Sequence, residues 1–242
     1  MSFNNSHKVS GERLTLGQSS KRNQEDHIAR YDYATKFTKG NRVLDVACGT
    51  GYGVSLICES GALEVVGVDI DSDSISYAQK KYNHKNAKYI CSSASKIPMP
   101  DEYFDAIVTF ETIEHLEEED RELYLRELRR VLKDDGVVIL STPNKLITSP
   151  WSKIPLNPYH ILEYYEETLR DEIEKYNFRI LSWCGQRRVK NIFTKYPIYV
   201  LIRIFEKISR KNLGIYDIAA SSEVKPIERG CHPRYFVLKI KK

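Results

Sequence analysis

Three features of the 242-residue sequence predict an α/β chain with a doubly wound, largely parallel sheet. The first is Arg42-Val43-Leu44-Asp45-Val46-Ala47-Cys48-Gly49-Thr50-Gly51-Tyr52-Gly53, where a short apolar run meets alternating glycines and then a helical pattern through Val54, Leu56 and Ile57. The second is a run of the same kind, Glu64 to Asp69, ending in an acid about 20 residues beyond the turn. The third is the continued alternation of short apolar runs with amphipathic segments as far as residue 184.

Each element can be justified in order. Residues 1–18 are polar and glycine-punctuated, and include Gly11-Glu12-Arg13. A helix is expected from Ser20 to Phe37, with Ile28, Tyr31 and Phe37 loosely on one face. The segment 1–39 thus reads as an N-terminal piece with a covering helix, ahead of a main domain from 40 to 242. Val43 to Val46 is strand one, Glu64 to Asp69 strand two and Tyr89 to Cys91 belongs to strand three. The helix between the last two carries Ile75, Ala78 and Tyr82; Ser72 or Asp73 suits its cap, and capping is also the reading for Asp71. Ile97 to Asp105 is a turn into strand four, Ala106 to Phe110. Glu117 to Leu132 is an amphipathic helix with Leu125, Leu128 and Leu132 inward. Asp134-Asp135-Gly136 turns the chain into strand five, Val137 to Ser141, whose apolar run suits a central position. A long segment rich in proline, 143–158, is too extended for a simple connector and reads as a lid over a substrate. A helix from Leu169 to Tyr176, strand six from Phe178 to Cys184 and a final strand from Pro233 to Ile240 complete the pattern.

Residues 187–230 read as an insertion. Arg187, Arg188, Lys190, Lys195, Arg203, Lys207, Arg210 and Lys211 face only Glu206 in charge, while Ile198, Leu201, Ile202, Phe205 and Ile208 follow Pro197 at helical spacing. A basic amphipathic helix near 197–211 can lie on a membrane surface, bind a partner, or pack on its own domain or a second subunit.

The glycine turn leaves helix N–H groups open to a ligand. Asp45 precedes it at the strand end, where a carboxylate repels a pyrophosphate and suits a cationic head such as an α-ammonium group. Asp69 has the geometry to take both hydroxyls of a ribose, its two oxygens matching a vicinal diol. Asp45-Val46-Ala47-Cys48-Gly49-Thr50-Gly51-Tyr52-Gly53 resembles motif I of the class I S-adenosylmethionine (SAM) methyltransferases, with Ala47 in place of the first glycine. Ile97-Pro98-Met99-Pro100-Asp101-Glu102-Tyr103-Phe104-Asp105 is similar to a second passage of that family. The likeness spans residues 40 to 185.

The resemblance implies a Rossmann-like sheet of seven strands, mainly parallel, with the last strand antiparallel beside strand six. It implies SAM against Asp45, Ala47, Cys48, Gly49, Gly51 and Tyr52, its ribose at Asp69 and Ile70, and its adenine at Ser93 and Ala94, where the family often has an aspartate. Phe110, Glu111, Thr112 and His115 would line the sulfonium end. Arg30 and Tyr31, with His27, would reach the cofactor's carboxylate or the substrate from the covering helix; a solvated helix face with a core tyrosine is the equal alternative. Asn144, Tyr159, His160 and Tyr164, from Thr142-Pro143-Asn144 and Asn157-Pro158-Tyr159-His160, resemble the acceptor loop of bacterial enzymes that methylate sugars, glycans and quinone-like molecules.

His115 and His160 are the candidate bases, because imidazole titrates near neutrality and a sugar hydroxyl needs its proton removed. Glu163 stands near His160 in sequence as an orienting carboxylate; a helix-capping role remains for His115. An amine acceptor would need neither base. The leading expectation is a methyltransferase acting on a sugar or glycan hydroxyl in bacterial polysaccharide biosynthesis. Quinone-like O-methylation, amino-sugar N-methylation and a catalytically silent SAM-binding module are the alternatives. No cluster shows metal-ligand spacing, so no essential metal is expected, although the pair Glu111 and Glu114 keeps that open.

Composition narrows the remaining classes. The net charge of +4 is too small to argue for nucleic acid. Five scattered cysteines without CxxC spacing suit reduced thiols and a cytoplasmic setting. No signal core opens the sequence, and no apolar stretch approaches the ~20 residues of a membrane span. Peripheral contact through the basic helix is the expected exception.

Overall fold

The computed structural model describes residues 20–190, 198–209 and 221–242. One eight-stranded sheet runs through it in the order β3-β2-β1-β4-β5-β8-β6-β7. Strands β1 (Arg42–Val46), β2 (Glu64–Asp69), β3 (Ala87–Cys91), β4 (Phe104–Phe110) and β5 (Leu132–Pro143) pair in parallel. β8 (Cys231–Lys241) inserts between β5 and β6 (Arg179–Lys190), antiparallel to both. The fold is the class I methyltransferase arrangement that the sequence predicts, with one strand more. That strand, β7, is only Lys225–Pro226, added to the edge of β6.

The strand order reverses between β2-β1 and β4-β5. In such a sheet the strand ends on either side of that point leave a crevice beyond their carboxyl termini. The strands there are buried on both faces: Val43, Leu44, Val65, Val66, Ala106, Ile107 and Val108 have no exposed surface. Helix α4 (Glu118–Val131) covers one side with a fully buried stripe of Tyr124, Leu125, Leu128 and Val131. Each buried leucine contributes about 1.5–3 kcal/mol of transfer free energy. Leu132, expected in that stripe, is equally buried but starts β5. The expected turn at Asp134-Asp135-Gly136 lies within β5, where the register with β4 jumps from Phe104↔Leu132 to Ala106↔Val137. Three more residues stand on β5 than on β4 across this shift, and the expected turn falls among them.

The other side is covered by α2 (Tyr52–Glu59) and α1 (Lys21–Thr35). Ser20 caps α1, its side chain accepting from Asn23 N. Asp71 caps α3 (Ser72–Lys81), accepting from the Ser74 backbone N–H at 3.0 Å and its hydroxyl at 2.6 Å. The cap therefore falls on Asp71, as its capping reading expects, and not on Ser72 or Asp73. The remaining helices are a single turn, α5 (Lys145–Thr148), then α6 (Glu166–Lys175) and α7 (Ile198–Ser209).

β6 runs to Lys190, six residues beyond its expected end, so Arg187, Arg188 and Lys190 belong to a strand and not to a basic helical insertion. Arg187 is buried there and pairs with Asp26 of α1 at 2.7 Å. Gln186 donates to the Asp26 carbonyl and accepts from Arg30. The extra length of β6 thus anchors the covering helix. The expected amphipathic helix exists as α7: Ile202 is buried, while Leu201, Phe205 and Ile208 are exposed. Lys195, Pro197, Arg210, Lys211 and residues 212–220 lie outside the described residues, as do residues 1–19 and the side chains of Lys190, Arg203, Glu206 and Lys207.

Candidate active site

The crevice at the switch point holds a cavity of about 870 Å³, within the range of small-molecule sites. Five strand ends feed it: Ala47 to Gly49 after β1, Val68 to Ile70 at β2, Ser93 and Ala94 after β3, Phe110 to Thr112 after β4 and Pro143 at β5. Helix α1 closes it from above with His27, Arg30 and Tyr31, and the loop after α5 adds Asn157, Tyr159 and His160.

At the glycine turn the backbone is bent into the left-handed region at Ala47 (φ 59°) and Gly49 (φ 52°). A non-glycine residue held there stores strain, and such strain gathers at binding sites. A Cβ on Gly49 would meet nothing within 4 Å, so this residue opens on the cavity. Gly51 and Gly53 have another duty. A Cβ on Gly51 would sit 2.5 Å from Ala78 Cβ, and one on Gly53 2.0 Å from the Tyr31 ring. These two let helices close on each other rather than a ligand on the chain, and Gly51 does not line the cavity.

Asp45 corrects the sequence reading. It is fully buried and absent from the cavity wall. β1 is central, and the Asp45 side chain meets α1, where the Tyr31 hydroxyl donates to both carboxylate oxygens. Burial, moderated by the Tyr31 bond and reinforced by nearby Asp69, raises its pKa to about 8. The wall itself is formed by Tyr31, whose ring packs edge-on against Phe110 at 5.0 Å and Tyr52 at 5.5 Å. Cys48 is buried and its thiol pKa is pushed up by burial, then by Asp45 and Asp69.

Asp69 is nearly buried and lines the cavity. Its Oδ2 accepts from Gly49 N–H at 2.8 Å and its Oδ1 from Asp71 N–H at 2.9 Å. These two backbone bonds, one to each oxygen, aim the carboxylate. Next to it Ile70 is 70% exposed, a large apolar side chain on the cavity rim. The Ser93 hydroxyl is engaged with Ser95, accepting from its N–H at 3.1 Å and sharing a bond with its hydroxyl at 2.7 Å.

Arg30 is the largest fully buried side chain. Its guanidinium donates to Gln186, lies 3.9 Å from Glu111 and stacks over the Tyr235 ring at 4.8 Å. Its Nε is buried with no hydrogen-bond partner. Glu111 is left-handed (φ 52°) and accepts from the Ser141 hydroxyl. Thr112 donates to the Phe110 carbonyl. His27 pairs with the Tyr52 hydroxyl at 2.8 Å, and burial, then Arg30, lowers its pKa well below the ordinary imidazole value.

At the far end two imidazoles meet edge to face with centroids 5.0 Å apart, His115 from the 3₁₀ turn Ile113–His115 and His160 from the loop. His115 Nδ1 lies 2.9 Å from the Tyr159 carbonyl, which can only accept, so that nitrogen carries the proton. His160 Nδ1 lies 2.8 Å from Glu163 Oε1. Burial acts to raise the Glu163 pKa, but bonds from His160, Ser149 and Thr148 outweigh it and hold it below the ordinary value. Beside this pair Glu114 is fully buried; its Oε2 accepts from Thr142, and its Oε1 has no partner. Burial and then Glu111 push its pKa well above the ordinary carboxyl range. Ligand atoms of Glu114, His115 and His160 all lie within 4.8 Å of one another. The three could therefore hold a metal ion, a grouping that the sequence reading did not find. Linear spacing hides it, because His160 arrives by a loop.

Of the acceptor residues, Tyr159 and His160 line the cavity. Asn144 and Tyr164 do not: Asn144 caps α5 and donates to the Pro233 carbonyl, and Tyr164 is buried in the core. Asn23, Asp26, Arg234 and Tyr235 line the cavity without having been expected there. Arg234 and Tyr235 arrive because β8 pairs with β5, placing Tyr235 opposite Pro143. No local motif marks that long-range register.

Residues 44–140 match the profile of a family described as "Methyltransferase domain". A probable S-adenosylmethionine-dependent methyltransferase of Mycolicibacterium smegmatis is 32% identical over 66% of this chain and 60% of its own length. The Yersinia enterocolitica ubiquinone/menaquinone biosynthesis C-methyltransferase UbiE is 32% identical over 58% of each chain. A SAM dependent methyltransferase structure from Archaeoglobus fulgidus superposes with a TM-score of 0.60, at 21% identity, over 93% of this chain and 95% of its own. The chain thus spans about 60% of the length of the curated relatives it matches. The likeness to the solved structure is one of fold, and SAM is the cofactor for which two of these proteins are named.

Proposed function

We propose that the chain is a SAM-dependent methyltransferase acting on a small-molecule acceptor, with a sugar or glycan hydroxyl as the favoured target. The carrying observation is the single cavity that joins the strained glycine turn and aimed Asp69 at one end to the His115–His160 pair at the other. The residues present fit the cofactor: open space at Gly49, a carboxylate on the cavity wall fixed by the Gly49 and Asp71 backbone, and the unpaired Nε of buried Arg30. Asp69 would hold the ribose, Ile70 and Ala94 the adenine, and Arg30 the α-carboxylate. Tyr31, Tyr52 and Phe110 would close over the sulfonium end. Asp45 acts through Tyr31 in this reading and not by direct contact with the ammonium group.

SAM supplies an activated methyl group, so the protein's task is alignment and proton removal. His115 suits the second task, because the Tyr159 carbonyl keeps the proton on Nδ1 and leaves Nε2 as the basic nitrogen. His160 is held by Glu163 and receives the Asn157 amide at Nε2, which suits it to fixing the acceptor. The acceptor end is built from imidazoles and an amide, which favours a polyhydroxylated molecule. Polysaccharide biosynthesis is the proposed setting. A quinone-like acceptor is the second reading, favoured by the name of the Yersinia relative. Among the described residues no helix is long and apolar enough to cross a membrane, and contact with a membrane or second subunit through α7 is proposed from its exposed apolar residues.

Isothermal titration with S-adenosylhomocysteine, followed by methyl transfer to sugar, amino-sugar and quinol acceptors, tests the reading. Binding with sugar turnover supports it. Binding without turnover on any acceptor favours a silent module, and absence of binding removes the cofactor altogether.

A further inference from the structure

We propose that Glu114, His115 and His160 form a divalent-metal site at the acceptor end of the cavity, whose open positions take oxygens of the acceptor. The three residues place one ligand atom each within 4.8 Å of the others. The independent observation is Glu114 Oε1, which is fully buried and has no partner. An unpaired buried carboxylate oxygen is costly to keep, and a cation is the partner that would repay it.

The surroundings have the form that metal ligands take. A coordinating histidine gives its second ring nitrogen to a carboxylate or a backbone carbonyl, which fixes the ring and makes the other nitrogen the ligand. Both arrangements are present: His160 Nδ1 meets Glu163 Oε1 at 2.8 Å, and His115 Nδ1 meets the Tyr159 carbonyl at 2.9 Å. The second oxygen of Glu114 is held by the Thr142 hydroxyl at 3.0 Å. His160 Nε2 now receives the Asn157 amide at 2.9 Å, a neutral bond that a cation would replace. Two imidazoles and one carboxylate suit a first-row ion such as Zn²⁺, Mn²⁺, Fe²⁺ or Co²⁺ better than Mg²⁺ or Ca²⁺, which prefer all-oxygen sets. Three protein ligands leave positions open, as catalytic metal sites do. Because His115 and His160 line the cavity, those positions face the acceptor, and a bound cation makes a coordinated hydroxyl more acidic, so His115 serves as a ligand when the cation is bound and as the base only without it. The acceptor class that follows is one with neighbouring oxygens, such as a sugar diol. That last step rests on the methyltransferase reading; metal binding does not.

The test is titration of the full chain, stripped with a chelator, with Co²⁺ alone, read by visible absorption and calorimetry. One equivalent should bind, with affinity reduced at least tenfold in Glu114→Gln, His115→Ala and His160→Ala and unchanged in His84→Ala, a histidine that bonds Ser55 and does not line the cavity. Glu114→Gln keeps the buried shape, and His115→Ala leaves Glu114 in place, so a folding defect in one does not hide the result in the other. S-adenosylhomocysteine is titrated in parallel. Failure to bind Co²⁺, or equal affinity in wild type and the three variants, overturns the metal site even if S-adenosylhomocysteine binds. The Co²⁺ pattern without S-adenosylhomocysteine binding upholds the site and removes the methyltransferase reading.

Discussion

The Tyr31 hydroxyl, on the helix that covers the glycine turn, donates to both carboxylate oxygens of Asp45 on the central strand, at 3.2 and 3.1 Å. The two residues lie 14 positions apart and join the N-terminal helix to the floor of the cofactor end. Tyr31→Phe should therefore destabilise the chain by about 1–3 kcal/mol, the usual cost of leaving a buried acceptor without its donor. It should also weaken S-adenosylhomocysteine binding severalfold, because the ring that forms the cavity wall is then no longer tied to Asp45. Urea unfolding and calorimetry check the two effects; unchanged stability would show that the bond contributes nothing.

The raised pKa of Asp45 sets the sign of a pH dependence. Burial moves it from the ordinary carboxylate value to about 8, so the folded chain holds a proton that the unfolded chain has lost between those limits. The contribution to stability is complete in acid, falls as pH rises, and levels off above the folded pKa. Asp45→Asn cannot ionise. Unfolding free energies of wild type and Asp45→Asn should diverge in favour of the variant from pH 5 to pH 8, and a constant difference over that span would contradict the assignment.

Gly49 and Gly53 separate binding from packing. Gly53→Ala drives a Cβ to 2.0 Å from the Tyr31 ring and should cost about 1–3 kcal/mol by overpacking. Gly49→Ala meets no neighbour but takes a left-handed backbone, a cost of about 1–2 kcal/mol, and intrudes on the cofactor end. The first should act mainly on the unfolding midpoint. The second should lower S-adenosylhomocysteine affinity more than the first does, as calorimetry on the two folded variants can show.

Much of this was legible in the sequence, for physical reasons. Buried parallel strands demand apolar runs, and the turn after β1 demands small residues, so the sheet and the crevice end lined by that turn could be placed from Val43–Gly53 and Glu64–Asp69. What residues face was harder. Asp45 is aimed by the pleat toward α1, and Gly51 and Gly53 serve helix contacts, neither of which a linear motif declares. Arg187 reads as surface charge until β6 proves long enough to bring it to Asp26. The acceptor end depends on β8 register and on a loop that carries His160 to His115, contacts between residues 45 or more positions apart. Such pairings leave no periodic trace.

His115→Ala should lower methyl transfer by about 10²–10⁴-fold, the usual contribution of a positioned acid–base group, and His160→Ala should lower it through loss of acceptor positioning. S-adenosylhomocysteine affinity should stay within about twofold for His160→Ala, which belongs to the acceptor loop. Single-turnover kinetics with a saturating acceptor check this, and full activity in either variant would take that histidine out of the chemistry.

Asp69 bears most directly on where the cofactor sits. Calorimetric titration of Asp69→Ala with S-adenosylhomocysteine should show a loss of about 1.5–3 kcal/mol, roughly 10- to 150-fold in affinity, as expected for hydrogen bonds to a charged acceptor. Affinity equal to wild type, in a variant that still folds, would contradict the placement of the ribose and with it the orientation of the whole site.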